Sequence, residues 1–188
     1  MLPRIVLASA SPARLQLLRN VGIEPHVHVS GVDEDALTKS SGWNTASEVA
    51  LGLAIAKAQH VAQQLDASNL IIGCDSVMEI NDAMHGKPGS IENARERLRE
   101  MSGGRGWLHT EVVFHDISDA EIEAYLATGE PLHVAGSFTL DSLGGPFIRE
   151  IHGDPSNVVG LSLPTLRNLF AELGFGWELV LAPSAHTK

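Results

Sequence analysis

The order of strand-like and helix-like segments is the feature that most constrains the fold of this chain. Ile5 to Ala8 has the composition of a short buried strand, and the following Ser11-Pro12 is typical of a helix start, because serine caps helices and proline occupies their first position. Strand-length and helix-length segments then alternate along the 188 residues. This alternation predicts an α/β or α+β fold, as one domain or two closely fused lobes.

Capping patterns mark several helix starts. Thr45-Ala46-Ser47-Glu48 has capping-box spacing before a helix expected to reach about Leu65, and Ser118-Asp119-Ala120-Glu121 has it before one ending near Gly129. Further helices are expected at 12–20, 90–103 and 164–174, with strands at 26–29, 69–73, 112–114 and 147–148. We expect an acidic turn at 31–35, irregular structure over most of 130–162, and fraying from about residue 183.

Composition excludes several classes of function. The chain has 13 Lys and Arg against 23 Asp and Glu, so its formal net charge is −10. This negative charge disfavours a main function in nucleic-acid binding. The single cysteine, Cys74, cannot form an intramolecular disulfide. The apolar run after Arg4 is too short for a secretion signal, and no stretch approaches the roughly 18 apolar residues of a membrane span. We therefore expect a cytoplasmic protein that binds neither nucleic acid nor membrane.

The first helix start is a candidate anion site. Its free backbone N–H groups and dipole would face a ligand near Ser9 and Ser11, and Arg14 could add a bidentate contact with phosphate. The alternative is a capped helix with a solvated arginine, and this segment alone favours that alternative.

Lys57 and Asp75 are charged residues next to apolar segments, which makes them candidate site residues. Lys57 lies in a stripe of small and apolar residues, so it either reaches through a packed face to a phosphate or snorkels at the edge of the core. Asp75 follows an apolar strand, where α/β ligand sites form, and suits metal binding or activation of water. The alternative for Asp75 is a turn cap.

Glu34, in the acidic turn, and Lys87, in Gly86-Lys87-Pro88, are weaker candidates taken alone. Together with Arg14, Lys57 and Asp75, these two residues supply carboxylates for a divalent ion and cations for phosphate. Cleavage of a phosphoanhydride requires groups of both kinds. The chain contains neither a Walker A loop nor an HExxH pattern, so we expect neither a P-loop enzyme nor a zinc site.

Ordered motifs along nearly the whole chain resemble the Maf family of nucleotide pyrophosphatases, once described as septum-formation inhibitors, and their details are similar to actinobacterial members. The motifs are Leu7–Pro12, Val32-Asp33-Glu34, Leu53–Ala58, Gly73–Ser76, Gly86-Lys87-Pro88, Met101-Ser102-Gly103, Ser118–Ile122, Thr128–Pro131, Ala135–Phe138 and Asn157–Leu161.

The resemblance implies a Maf- and ITPase-like mixed sheet flanked by helices, two lobes with a cleft between them, and a homodimer. It also implies that Ser9, Arg14, Glu34, Lys57, Asp75 and Lys87 occupy active-site positions, with Asp75 as the catalytic carboxylate. The implied cofactor is Mg²⁺ or Mn²⁺, for which Glu34 and Asp75 are the candidate ligands. The implied reaction hydrolyses a nucleoside triphosphate to a monophosphate and pyrophosphate.

The sequence departs from the family pattern at three places. Ala13 stands where many members have an arginine, and Asp141 stands where pyrimidine-preferring members have glutamine. An ionised Asp141 only accepts hydrogen bonds, which favours a base edge with N–H donors, such as guanine or 7-methylguanine. The resemblance implies that residues 1–188 form a single Maf-like domain. The third departure is that this domain is short between Thr110 and Glu111, where the family usually has a hairpin.

Either this protein lacks that hairpin or residues are omitted there. The sheet edge that its loss would leave unpaired favours omission, which predicts a mass well above 20.1 kDa. Ala13 and the short segment keep open a second function, a nucleotide-binding regulator of cell division that does not turn its ligand over. A nucleic-acid-binding structural protein is disfavoured by the charge and by only nine Phe, Trp and Tyr residues for stacking.

Overall fold

The structure is a computed structural model, and it describes residues 3–81, 83–108 and 110–181. Within these residues the strands form two sheets. The first is parallel, in the order β2 (His26–Val27), β1 (Arg4–Leu7), β3 (Asn69–Ile72). The second is antiparallel, in the order β5 (Ala83–His85), β4 (Met78–Ile80), β6 (Arg105–Trp107), β7 (Glu111–Phe114), β8 (Ile148–His152).

Eight α-helices accompany these strands in the described part of the chain, and the α/β prediction is confirmed. They are α1 (Pro12–Asn20), α2 (Glu34–Ser41), α3 (Ala46–Ala62), α4 (Ile91–Met101), α5 (Asp119–Ala127), α6 (Pro155–Val159), α7 (Leu163–Glu172) and α8 (Glu178–Leu181). None of these helices is long and apolar enough to cross a membrane.

The predicted helix starts are confirmed by their caps. Ser11 caps α1 and Ser90 caps α4, and complete capping boxes join Thr45 to Glu48 at α3 and Ser118 to Glu121 at α5. Each cap satisfies N–H groups that the first turn of a helix leaves unpaired.

Several short elements were missed. The acidic turn expected at 31–35 is wrong, because Asp33 accepts a hydrogen bond from the Ala36 N–H at 3.0 Å and caps α2. The region 130–162, expected to be mostly irregular with a strand at 147–148, contains α6 and all of β8. β4, β5, β6 and α8 were not predicted. The fraying predicted from residue 183 lies outside the described residues.

Each sheet has its own hydrophobic core. Phe114, Leu98 and Ile122 belong to a cluster between the antiparallel sheet and helices α4 and α5. Leu7 and Phe170 belong to a second cluster between the parallel sheet and helices α1 and α7. Burial of each large apolar side chain contributes about 1.5–3 kcal/mol, so both sheets are firmly supported.

Strands β6 and β7 are neighbours in the antiparallel sheet, with Trp107 opposite Glu111. β7 lies between β6 and β8, whereas β6 pairs with β4 only through Trp107 and Glu79. The Thr110 hydroxyl also donates to the Asp154 carbonyl at 3.2 Å, which ties the start of β7 to the start of α6. Whether a longer segment belongs between β6 and β7, and whether 1–188 is a single domain, stay predictions.

Candidate functional site

The site residues begin where strands β1 and β3 of the parallel sheet end. β1 and β3 run in register, with Leu7 opposite Ile72, so Ser9 and Asp75 follow the two strands at the same sheet edge. The carboxyl ends of parallel strands are where ligands bind in α/β proteins. Sequence and topology thus bring together two residues that lie 66 positions apart in the chain.

Lys57 is buried and bridges two carboxylates. Its side chain is 7% exposed, and its Nζ lies 2.5 Å from Asp75 Oδ1 and 2.8 Å from Glu34 Oε1. The alternative of a lysine that snorkels at the core edge is therefore wrong. A buried ammonium group requires such partners, because an unpaired charge in the protein interior is strongly destabilising.

A glycine permits this contact between helix and strand. A Cβ atom on Gly73 would lie 2.1 Å from the Ala54 carbonyl oxygen and 2.8 Å from Ala58 Cβ. No larger residue fits there, so α3 packs directly against the end of β3 and Lys57 reaches Asp75. Glu34 comes from the first residue of α2, whose start Asp33 fixes.

Arg14 is also buried, and the protein itself uses most of its hydrogen-bonding capacity. Its Nε donates to the Gly160 carbonyl at 2.8 Å, and its terminal nitrogens donate at 3.0 Å each to Ser9 Oγ, the Cys74 carbonyl and Ser76 Oγ. These bonds occupy four of the five N–H groups of a guanidinium. The solvated-arginine alternative is wrong, and Arg14 joins three chain segments rather than presenting an open fork.

Gly160 accommodates Arg14 through its backbone. It adopts φ of 134°, and a Cβ there would lie 3.2 Å from Arg14 Nε. Ser11 contributes locally, since its Oγ accepts from the Arg14 N–H at 3.4 Å and its N–H donates to Ser9 Oγ at 3.3 Å. Ser9, Ser11 and Arg14 are thus one connected group.

Burial shapes the electrostatics of Asp75. Removal from water raises the pKa of its carboxyl group, and the nearby Lys57 opposes this effect without cancelling it. Burial likewise raises the pKa of the Cys74 thiol. Asp75 is therefore easier to protonate than an exposed aspartate. Shifted pKa values of this kind are typical of groups that exchange protons at functional sites.

Two predicted site residues are not joined to this group in the described structure. Lys87 is exposed, and its loop is held by α4, where Arg97 donates to the Gly86 carbonyl and Asn93 donates to the Pro88 carbonyl. Asp141 is exposed on the loop before Gly144. No hydrogen bond or ion pair in the described residues links Lys87 or Asp141 to Asp75.

Glu34 and Asp75 are the candidate ligands for a divalent ion. Glu34 and Asp75 both contact the same Lys57 nitrogen, so their carboxylates are close neighbours. The described residues contain no group of three or more acidic, His or Cys side chains arranged to hold a metal. Mg²⁺ is commonly held by one or two carboxylates together with substrate phosphates, and this pair fits that pattern.

Some participants were missed in the sequence. Ser76 and the Gly160 carbonyl complete the Arg14 contacts, yet both lie inside motifs that had been noted for other residues. The signal for Ser76 was its position directly after Asp75. A backbone carbonyl such as that of Gly160 carries no signal in the sequence.

The fold and these contacts define an α/β protein with a buried lysine–carboxylate site at the end of a parallel sheet. A family profile described as Maf-like protein matches residues 4–113 and 105–173. The chain therefore belongs to the Maf family.

Individual relatives agree with this assignment, and each is named nucleoside triphosphate pyrophosphatase. The Rhodococcus opacus protein is 48% identical over 198 residues, covering 91% of this chain and 92% of the relative. The Streptomyces coelicolor protein is 47% identical over 201 residues, covering 96% of each. The Salinispora tropica protein is 48% identical over 193 residues, covering 90% of this chain and 84% of the relative.

Proposed function

We propose that this protein is a nucleoside triphosphate pyrophosphatase, which hydrolyses nucleotides to a monophosphate and pyrophosphate. The observation that carries the proposal is the buried contact of Lys57 with Asp75 and Glu34, at the strand ends of a chain whose relatives bear that name. The carboxylates supply a base and metal ligands, and the lysine supplies a cation for phosphate.

In the proposed reaction, a water oxygen attacks the α-phosphorus while the bond between that phosphorus and the bridging oxygen breaks. Pyrophosphate leaves with the electron pair of that bond. Asp75 accepts the proton of the attacking water as a general base. Arg14 keeps Ser9 and the Asp75 segment in place, because it binds Ser9, Cys74 and Ser76 at once.

The proposed cofactor is Mg²⁺ or Mn²⁺, as the family resemblance implies. Glu34 and Asp75 would hold the ion, which would neutralise phosphate charge when bound. Cytoplasmic location and homodimer formation also stay predictions.

The test is pyrophosphate release from a panel of canonical and modified nucleoside triphosphates, with Mg²⁺ or Mn²⁺. We expect Asp75→Asn to lower kcat by about 10²–10⁴-fold, the usual contribution of a positioned general base. Asp66→Asn, at an exposed position after α3, is the matched control and should retain activity.

The alternative, a regulator that binds nucleotides without turnover, is not favoured by relatives named as pyrophosphatases. It would gain support if the wild-type protein bound nucleotides but released no pyrophosphate from any of them. The role of Asp141 in base preference stays a prediction, to be tested with Asp141→Gln.

A further inference from the structure

A small cavity lies between the start of α3 and the antiparallel sheet, outside the group formed by Ser9, Arg14, Lys57 and Asp75. Its volume is about 210 Å³. The residues that line it are Thr45, Ala46, Ser47, Val77, Glu79 and Trp107. Ligand pockets for whole drug-sized molecules are roughly 300–1,000 Å³, so this cavity suits one ring of a larger ligand.

Helix α3 and the segment 75–79 run side by side and each reach from the lysine–carboxylate group to the cavity. Gly73 packs on Ala54 and Asp75 contacts Lys57, whereas Val77 and Glu79 face the first residues of α3. From Lys57 back to Ser47 the helix spans about 15 Å, and the four residues from Asp75 to Glu79 span at most about 14 Å. The segment 75–79 is therefore antiparallel to α3, with the lysine–carboxylate group at one end and the cavity at the other.

The chemistry of the two ends differs. Trp107 and Glu79 are paired across β6 and β4, so their side chains lie on the same face of the sheet. Trp107 is 51% exposed, which leaves part of its aromatic surface available to a ligand. Glu79 has no hydrogen-bond or ion-pair partner among the residues that the structure describes, whereas the nearby Glu111 is paired with Arg105 at 2.8 Å.

We propose that this cavity binds the nucleobase of the substrate, with its ring stacked on Trp107 and a base N–H group donating to Glu79. The inference rests on the proposed function and adds to it the site that reads the base. Glu79 offers no cation to a phosphate, whereas the other end of the segment holds Lys57, so the phosphates of the nucleotide would lie toward Lys57. Stacking on an aromatic ring stabilises any base, and the carboxylate accepts only from base edges that present N–H donors.

The first experiment compares kinetics of Trp107→Ala, Trp107→Phe and Leu173→Ala. Leu173 is an exposed apolar residue after α7 and serves as the matched control. We expect Trp107→Ala to raise KM for the best nucleotide about tenfold with a smaller effect on kcat, and Trp107→Phe to restore KM because phenylalanine also stacks. Inhibition by inorganic tripolyphosphate, which has no base, should be unchanged in all three variants.

Two kinetic outcomes would overturn the inference. One is an unchanged KM in Trp107→Ala, and the other is an equal loss of affinity for tripolyphosphate, which would indicate general damage to the site. Glu79→Gln should change the ranking of bases by KM. A ranking that responds to Asp141→Gln but not to Glu79→Gln would place base recognition on the loop of Asp141 instead.

A binding experiment separates this inference from the proposed function. Nucleotide should quench tryptophan fluorescence in the wild type and in Trp43→Phe and Trp177→Phe, but not in Trp107→Phe. Quenching that depends on Trp107 without any turnover would support the cavity and contradict the pyrophosphatase proposal. Turnover with quenching that is unaffected by Trp107→Phe would support the enzyme and overturn the cavity.

Discussion

Lys57 and its two carboxylates form an ionic group that carries a net charge of −1 when all three are ionised. Buried ion pairs often contribute little net stability, because desolvation offsets their attraction. Keeping Asp75 ionised is costly here, since burial raises its pKa despite Lys57. The group is therefore better explained by a role in binding cations and phosphates than by a role in folding.

The raised pKa of Asp75 predicts how the stability of the metal-free protein depends on pH. A carboxylate whose pKa rises on folding contributes stability below its ordinary value of 3.8, and that contribution is lost as pH rises through the folded pKa. We expect Asp75→Asn to gain stability relative to wild type as the pH rises through this window.

Denaturant unfolding in a chelating buffer, at several pH values from about 4 to about 8, measures this difference. The slope with pH is the relevant quantity, because the loss of a Lys57 partner adds a constant term. An exposed substitution, Asp35→Asn, is the control. A difference between Asp75→Asn and wild type that does not change with pH would contradict the prediction.

Ser137 predicts a stabilising substitution. It is fully buried, its φ of 62° lies in the left-handed region, and its Oγ has no hydrogen-bond partner among the described residues. Left-handed backbone and an unsatisfied hydroxyl each cost about 1–3 kcal/mol, whereas glycine costs about 0.5–1 kcal/mol in chain entropy.

We therefore expect Ser137→Gly to raise stability by about 1–2 kcal/mol and Tm by about 2–8 °C, measured by calorimetry. Ser137→Ala removes the hydroxyl but keeps the Cβ, so it separates the two contributions. A lower Tm for Ser137→Gly would mean that the hydroxyl has a partner or that the turn needs its side chain.

At the scale of elements, Glu130 organises the loop that carries Asp141. Its carboxylate accepts hydrogen bonds from Tyr125 on α5, at 2.9 Å, and from Thr139 and Ser142 in the loop, at 2.5 and 2.7 Å. Burial alone would raise the pKa of Glu130, but the hydrogen bonds from Thr139, Ser142 and Tyr125 outweigh it and lower the pKa.

We expect Glu130→Gln to destabilise the protein by about 2 kcal/mol, because an amide nitrogen cannot accept from these hydroxyl groups. Hydrogen exchange should become faster over residues 139–144, and Glu172→Gln on α7 provides an exposed control. Unchanged exchange in this loop would show that its conformation does not depend on Glu130.

The elements that could be predicted from the sequence are those with local signals. α3 and α5 carry complete capping boxes, and α1 carries a Ser-Pro start. α2 was missed because its eight residues, Glu34–Ser41, contain few apolar side chains. It opens with two acidic residues directly after Asp33, and such an acidic run resembles a turn. β4, β5 and β6 have three residues each, too short to show an alternating pattern.

At the scale of the whole molecule, the residue types of the site were predictable but their pairing was not. The sequence predicts that Lys57 either reaches a phosphate or lies at the edge of the core, and its partners in the structure are Glu34 and Asp75. Arg14 was expected to be open, and it is held by Gly160, 146 residues away. Such contacts depend on how the parallel sheet brings distant segments together, and a single sequence carries no pairing information for them.

The relatives carry additional residues that bear on the connection between β6 and β7. The Rhodococcus opacus relative matches over 198 residues, more than the 188 of this chain, so it has residues in the matched region that this chain lacks. The two matches to the family profile overlap at residues 105–113. This overlap supports the segment between β6 and β7 as the place where the additional residues belong.

Intact-protein mass spectrometry of the protein from its source decides between the two interpretations. A mass well above 20.1 kDa would confirm omitted residues. A mass of 20.1 kDa would mean that the short segment between β6 and β7 is native. Thr110 would then anchor the start of β7, since its hydroxyl bonds the Asp154 backbone. In that case Thr110→Val should destabilise the protein by about 1–3 kcal/mol, because it leaves buried backbone groups without partners.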